Sequence, residues 1–212
     1  MAIGCDQSRC SGYFFLLRAG LKSKGDLVVD YMKKLVEVLG TLSFLIWASM
    51  FWSSGASAKV VHAAESGFEI KMSVSVGATP EQAYEQFLKV GEWWDPEHTW
   101  FGQAKNLSID PVAGGCFCET EGDKSVLHMT VSYIAPNREI RMVGGLGPLQ
   151  QMGLQGVLTF KFIPISDNET EIVQIYRVTG YDPQGLKALA PIVDQVQALQ
   201  LKRLKARFSP SF

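Results

Sequence analysis

The sequence predicts an α+β fold in which an antiparallel sheet packs against a long C-terminal helix. Three observations support it: a series of short alternating segments, a short helix after the first of them, and a helical periodicity near the C-terminus. Consecutive strands with short turns pair antiparallel, and a sheet that buries one face needs a cover. The C-terminal helix is the only predicted element that can supply that cover.

The first predicted strand is followed directly by a helix. Apolar and polar residues alternate over 68–76, which is typical of a half-buried strand. Thr79 is then expected to cap a helix whose first position is Pro80. We expect this helix to end near Gly91 and a second short helix or turn to reach Gly102.

Six further strands are predicted, separated by residues that favour turns. They span 105–109, 116–120, 125–134, 139–144, 156–165 and 169–181. The predicted sheet therefore has about six to seven strands. The Gly-rich loop 144–147 lacks the sequence context of a phosphate-binding loop, so we interpret it as a flexible rim at a cavity mouth.

The last predicted element is a long helix. Residues at helical spacing mark it: Leu186, Leu189, Val193, Val196, Gln200 and Leu204. Pro191 is expected either to kink this helix or to mark its start. The basic segment 202–207 suits its C-terminal end, where cations interact favourably with the helix dipole.

A secretory signal peptide is predicted over residues 32–58. Met32 and two lysines precede an apolar run over 35–52, and Ala56-Ser57-Ala58 supplies a small-x-small cleavage site. We expect cleavage after Ala58, with a second possible site after Ala63, and a secreted or periplasmic protein. The alternative is a membrane anchor formed by 35–52, which would be the only contact with a membrane.

Residues 1–31 match no predicted element and precede a methionine that begins a normal signal peptide. We interpret them as a non-native upstream extension, although a long basic leader is an alternative. After the signal peptide, a short linker over 59–66 and one domain over 67–208 are expected. The net charge of -1, without a basic patch interleaved with aromatics, argues against a nucleic-acid partner.

Two of the four cysteines lie in the predicted domain, at Cys116 and Cys118. Same-face Cβ atoms two residues apart on a strand are separated by roughly 6–7 Å, whereas a disulfide needs about 3.8 Å. A bridge between them is therefore expected to be badly strained. Free thiols, or metal ligands together with His98 or His128, are the alternatives. The spacing matches no common zinc pattern, so we expect no metal and no cofactor.

Several motifs resemble the START-like, or SRPBCC, superfamily, and more closely its branch related to the heat shock protein 90 ATPase activator, often labelled polyketide cyclase-like. They are Trp93-Trp94, 104–107, 114–119, His128 with Val131, 145–149, Gly180-Tyr181, Val193-Asp194 and 201–204. The resemblance covers about 68–208. It implies a helix-grip fold with a cavity between the sheet and the C-terminal helix, but no single activity, since the superfamily includes carriers, cyclases, hydrolases and co-chaperones.

The candidate ligand-binding residues are aromatic or apolar. Two adjacent indoles give a large rigid surface, and the others are expected on the inner face of the sheet. They are Trp93, Trp94, Met129, Tyr133, Met142, Phe160 and Tyr176. In strand 125–134, Met129 and Tyr133 share a face with Leu127 and Val131. His128 is therefore expected to point outward unless a bulge reverses the register.

His98 and Glu119 are the candidate catalytic residues. His98 follows the tryptophan pair and is suited to act as a general base, with a surface turn residue as the alternative. Glu119 would be suited to act as an acid if buried, although partial exposure at a strand end is the alternative. No nucleophile–base–orienter set is visible.

We therefore expect an exported domain that binds a small hydrophobic molecule. The alternatives are a cyclase- or hydrolase-like enzyme and, if the leader is not a signal, a co-chaperone-like interaction module.

Overall fold

The computed structural model describes residues 59–209. Eight strands form one sheet: β1 (Lys59–Ala64), β2 (Gly67–Val76), β3 (Leu107–Ile109), β4 (Cys116–Glu121), β5 (Lys124–Ala135), β6 (Glu139–Gly144), β7 (Gln155–Ser166) and β8 (Glu169–Thr179). The α-helices are α1 (Pro80–Leu88), α2 (Val90–Trp93), α3 (Pro148–Gln151) and α4 (Ala190–Ala206). Short 3₁₀ turns lie at Pro96–His98 and Ala104–Asn106.

The sheet is antiparallel throughout, in the order β1-β2-β8-β7-β6-β5-β4-β3. The long helix α4 packs against β2 and β1. This is the arrangement of a helix-grip fold, and it confirms the predicted α+β class. Within residues 59–209, no helix is long and apolar enough to cross a membrane.

Local sequence signals set the starts of the two main helices. Thr79 and Gln82 form a capping box, since Thr79 Oγ1 accepts from the Gln82 amide at 3.3 Å and Gln82 Oε1 accepts from the Thr79 amide at 3.0 Å. Helix α4 begins at Ala190, so Pro191 lies in its first turn. Proline is tolerated there because that amide has no intrahelical acceptor. Pro191 therefore marks the helix start and does not kink it.

The predicted linker over 59–66 is corrected by the structure, because most of it forms strand β1. Val60 pairs with Ile70 and Ala63 with Phe68, so β1 extends the sheet beyond β2. β-branched residues favour such half-buried edge positions. The predicted extension 1–31 and signal peptide 32–58 lie outside the described residues.

An aromatic cluster anchors the short helices to the sheet. The Phe87 ring lies 4.6 Å from Phe160, 5.6 Å from Phe162 and 5.9 Å from Trp93, measured between centroids. Trp93 also donates its indole N–H to the Phe87 carbonyl at 2.9 Å. Burying each such side chain contributes roughly 1.5–3 kcal/mol. The cluster fixes the end of α2 and thereby the direction of the loop that follows it.

Candidate functional site

A cavity of about 410 Å³ lies between the sheet, helix α4 and the segment around α3. Its walls are mainly apolar and include Trp94, Phe117, Leu146, Leu149, Ile192 and Val193. Ligand pockets in proteins have volumes of about 300–1,000 Å³ and combine apolar walls with a few placed polar groups. The polar side chains at this cavity are therefore the informative ones.

Trp94 lines the cavity, whereas its neighbour Trp93 does not. The Trp94 ring lies 5.5 Å from Phe117, and its indole N–H donates to the His98 carbonyl at 3.0 Å. Trp93 is turned toward Phe87 in the core. Arg203 of α4 donates to the carbonyl oxygens of both tryptophans, at 2.9 and 3.3 Å. These bonds tie the helix to the wall that Trp94 forms.

Tyr176 is the other predicted binding residue at the cavity. Its hydroxyl oxygen accepts a hydrogen bond from the Leu146 amide at 3.2 Å, which links β8 to the Gly-rich rim. Burial raises the pKa of Tyr176 to about 12, so the phenol stays neutral. The predicted rim segment 144–147 does reach the cavity, through Leu146 and Gly147, and the lining continues into Pro148 and Leu149.

The remaining predicted binding residues do not line this cavity. Met129, Met142 and Phe160 are buried in the core, where apolar side chains pack against each other. Tyr133 is 44% exposed, and its ring lies 5.1 Å from the Arg141 guanidinium carbon. Its predicted inner-face position is wrong because β5 carries one unpaired residue, Ser132, between the pairs Val131–Met142 and Tyr133–Arg141.

A second bulge turns His128 inward. Phe117 pairs with Met129 and Cys118 with Leu127, which leaves His128 as the extra residue on β5. Leu127 is 51% exposed as a result, whereas His128 is 5% exposed and lines the cavity. The predicted outward orientation of His128 is therefore wrong.

Glu119 is fully buried, with 0% exposure, so its expected partial exposure is also wrong. Its carboxylate accepts hydrogen bonds from the amides of Trp100 at 2.9 Å and Phe101 at 2.7 Å. The Nε2 atom of His128 lies 3.3 Å from Glu119 Oε2. Glu119 lies behind His128, and it contacts the ring and the loop backbone without lining the cavity.

The two nitrogens of His128 differ in their surroundings. Nε2 faces Glu119, whereas Nδ1 is buried and has no hydrogen-bond partner within residues 59–209. Burial lowers the pKa of His128 below its ordinary value, and the hydrogen bond and charge of Glu119 oppose this shift only in part. At neutral pH, burial therefore favours the uncharged form of the imidazole.

His98 lies at the exposed rim of the same cavity, in the 3₁₀ turn after the tryptophan pair. Its Nδ1 atom is 3.2 Å from Gln200 Nε2, and Gln200 Oε1 accepts from the Asp95 amide at 2.8 Å. Gln200 thus connects helix α4 to the turn. Neither candidate catalytic residue contacts the other within the described part of the chain.

Cys116 and Cys118 form a disulfide, so of the three predicted states of this pair the structure has the bridge and not the free thiols or metal ligands. Their Cα atoms are 5.4 Å apart, less than the roughly 6.6 Å of a flat strand and within the usual range for a bridge. The bridge lies half-buried on the sheet face opposite Phe117 and Glu119. Bridged sulfurs are not thiolate ligands, and residues 59–209 hold no group of three His, Cys, Asp or Glu that could bind a metal.

Sequence reasoning missed several residues of the site, including Gln197 and Met152. Gln197 is buried on α4, where its side-chain oxygen accepts a hydrogen bond from the Gln174 amide group of β8. The sequence did contain a signal for this residue. A glutamine stands there on a helix face whose other members are mostly apolar. Gln200, three residues further, shows the same pattern.

Comparisons with known proteins support the fold but do not indicate a function. No family model matches the chain, and no curated protein matches it. Protein Ms6760 from Mycobacterium smegmatis superimposes with a TM-score of 0.50 at 11% identity, over 74% of this chain and 99% of that one.

Two further solved structures are similar. CalU16 from Micromonospora echinospora gives a TM-score of 0.47 at 12% identity, over 74% of this chain and 86% of that one. EF2215 from Enterococcus faecalis, a conserved protein of unknown function, gives 0.44 at 13% identity, over 71% and 74%. At such identities only the fold is shared.

Proposed function

We propose that the domain binds a small hydrophobic molecule in the cavity between its sheet and helix α4. The volume of about 410 Å³ carries this proposal. Ligand pockets have volumes of about 300–1,000 Å³ and apolar walls with a few placed polar groups. This cavity, which is partly open to solvent, has that size and that kind of lining.

A cavity-filling variant tests this proposal. Val193→Trp on α4 places a large ring in the cavity, whereas Val143→Trp makes the same change at an exposed position of β6. Native mass spectrometry of the purified protein and thermal shifts with fatty acids, sterols and naphthols report binding. We expect binding to wild type and Val143→Trp and its loss in Val193→Trp. If nothing binds to wild type and Val193→Trp raises the melting temperature, the cavity is an empty void and the proposal fails.

We further infer that the chain belongs to the START-like superfamily, in the polyketide cyclase-like branch. The order of its elements and the motifs quoted above support this assignment. Among the alternatives, a cyclase- or hydrolase-like activity finds support in the buried Glu119–His128 pair, which adjoins the cavity. Turnover that survives His128→Phe would exclude this pair as its site.

We also propose that the domain is exported after cleavage at Ala58. The predicted signal peptide supports this, and so does the Cys116–Cys118 disulfide, because disulfides persist mainly in oxidising compartments. Cleavage after Ala58 leaves β1 whole, whereas cleavage after Ala63 removes all but its last residue. Fractionation of a C-terminally tagged protein and N-terminal sequencing test the proposal; a cytoplasmic protein with an intact leader would refute it.

A further inference from the structure

We propose that the Cys116–Cys118 disulfide is a reversible redox site, reduced by small thiols such as glutathione, whose state sets the affinity of the cavity for its ligand. This inference rests on the proposed function, because it states how binding in the cavity is regulated. Its support is the place of the bridge in the sheet: the bridge lies on the outer face, directly behind the cavity wall.

The bridge encloses one residue, Phe117, which belongs to that wall. Side chains alternate along a strand, so Cys116 and Cys118 lie on one face of β4 and Phe117 on the other. The Phe117 ring packs 5.5 Å from Trp94 and 5.1 Å from His128, measured between centroids, and both of these residues also line the cavity. A covalent link on the outer face therefore constrains the backbone that positions this aromatic contact.

The bridged segment also faces the bulge of β5. Cys116 pairs with Thr130 and Cys118 with Leu127, so two steps along β4 match three along β5, and His128 is the residue in excess. The Cα atoms of the two cysteines are 5.4 Å apart, whereas two steps of a flat strand cover roughly 6.6 Å. The bridge thus keeps β4 short where β5 is long, and this mismatch favours the bulge that turns His128 inward.

The bulge is in turn connected to the rim of the cavity. Gln150 of α3 donates a hydrogen bond from Nε2 to the Leu127 carbonyl. Gly144 lies so close to the bulge that a Cβ there would be 2.7 Å from the His128 carbonyl oxygen. A change of register beside the bridge therefore reaches the rim as well as the wall. The bridge is the element with two discrete states, which coupling between distant groups requires.

A reductant approaches the bridge from the outer face. Both cysteines are half-buried there, and Leu127, the partner of Cys118 on the same face, is 51% exposed. The thiolate of one glutathione attacks a sulfur and breaks the S–S bond, which gives a mixed disulfide and one protein thiolate. A second glutathione thiolate attacks the glutathione sulfur of that mixed disulfide. Glutathione disulfide leaves, and the protein, having gained two electrons and two protons, holds two thiols.

Reduction is expected to loosen the wall without unfolding the domain. Two thiols cannot remain at bonding distance, so β4 becomes free to extend toward the spacing of a flat strand. The bridge closes a loop of only three residues, and closing so short a loop constrains the unfolded chain little. We therefore expect the reduced protein to stay folded and to bind its ligand more weakly. Together with the proposed export, this would keep affinity low in a reducing cytoplasm and high in an oxidising compartment.

Titration calorimetry with 2-naphthol on the full chain, oxidised and reduced, tests the proposal. We expect affinity to fall about fivefold to tenfold on reduction, at the low end of couplings between sites in proteins. The variant Cys116→Ala/Cys118→Ala should bind like the reduced protein, with or without glutathione. It keeps Cys5 and Cys10, so a response to glutathione that persists in this variant would assign the effect to those cysteines and overturn the proposal.

The coupling is reciprocal, which gives a second measurement. If the oxidised protein binds 2-naphthol more tightly by a given factor, saturating 2-naphthol must raise the value of [GSH]²/[GSSG] at half-reduction by the same factor. Alkylation with iodoacetamide under native conditions, followed by mass spectrometry of the peptide that contains both cysteines, gives the fraction reduced. A peptide that glutathione leaves unalkylated until the domain unfolds would show that the sulfurs are inaccessible, and the proposal would fail.

The outcomes separate this inference from the proposed function. Equal affinity of the oxidised and reduced proteins for 2-naphthol leaves ligand binding standing and overturns the redox control. Binding to neither form counts against the proposed function for this probe, and the inference fails with it. Nitrogen NMR needs no ligand: the signals of the Trp94 indole N–H and the His128 ring should shift on reduction. Unchanged signals would show that the bridge does not act on the wall.

Discussion

Nε2 of His128 on β5 lies 3.3 Å from Oε2 of Glu119 on the adjacent strand β4, and both side chains are buried. The extra residue on β5 makes this contact possible, because it moves His128 to the face that Glu119 occupies on β4. One local irregularity of pairing thus places an imidazole in the cavity wall.

The buried imidazole predicts a dependence of stability on pH. The pKa of His128 is lowered in the folded state, so below the ordinary histidine pKa of about 6.5 the unfolded chain binds more protons than the folded one. The stability due to neutral His128 is therefore present above that pH and is lost as pH falls toward the folded pKa. This group contributes a slope of at most about 1.4 kcal/mol per pH unit.

Urea denaturation of wild type and His128→Phe between pH 8 and pH 5 measures this contribution. Carboxyl groups titrate in both proteins, so the difference between their curves isolates His128. We expect wild type to lose stability more steeply on acidification below pH 6.5. Parallel curves of stability against pH for the two proteins would show that burial does not lower the pKa of this histidine.

Glu119 is expected to hold the loop after the 3₁₀ turn in place. Glu119→Ala leaves the amides of Trp100 and Phe101 without their acceptor, at a cost of about 1–3 kcal/mol for each group that remains buried. Hydrogen exchange of these two amides should accelerate. Glu121→Ala is the matched control on β4, because its pair with Lys124 is largely exposed and contributes less than about 1 kcal/mol.

Equal destabilisation by the two alanine variants would contradict this role of Glu119. The same comparison bears on the site, since Trp100 lines the cavity and its amide is bound to Glu119. A loop released in Glu119→Ala should weaken ligand binding as well as stability.

The elements were predictable where their signals are local. Strand β6 has the predicted bounds of Glu139–Gly144, and α1 follows the cap at Thr79. Alternation and capping depend on a few consecutive residues, which the sequence displays directly. Strand β1 was missed because an edge strand with one polar face resembles a linker until its partner β2 is known.

The site was only partly predictable, because its residues depend on pairing between strands. A bulge is set by two strands together, and a shift of one residue moves every following side chain to the other face. This explains why Tyr133 and His128 were assigned to the wrong faces. Trp93 and Trp94 are indistinguishable in composition, and only the packing of α2 directs one to the core and the other to the cavity.

The Cys116–Cys118 disulfide is expected to contribute little to stability. It closes a loop of three residues, for which the chain-entropy relation gives about 1.6 kcal/mol, against about 3 kcal/mol for a fifteen-residue loop. Reduction, or the double variant Cys116→Ala/Cys118→Ala, should therefore lower the free energy of unfolding by less than about 2 kcal/mol. The peptide that contains both cysteines should gain two mass units on reduction, and an unchanged mass would contradict the bridge.

Gly156 is expected to be essential for the position of Tyr176. A Cβ atom at Gly156 would lie 2.4 Å from Cε2 of the tyrosine ring and 2.8 Å from its hydroxyl oxygen, so Gly156→Ala forces the ring to move. Such overpacking typically costs 1–3 kcal/mol, and the displaced hydroxyl would lose its bond to the Leu146 amide. Because Tyr176 lines the cavity, ligand affinity should fall together with the free energy of unfolding measured in urea.

Gly77→Ala is the matched control for this variant, because a Cβ there meets nothing within 4 Å. We expect it to change the free energy of unfolding by less than about 0.5 kcal/mol and to leave ligand binding unchanged. A Gly156→Ala protein with the stability and affinity of Gly77→Ala would show that the ring of Tyr176 is free to move. The wall that joins β8 to the Gly-rich rim would then not be rigid.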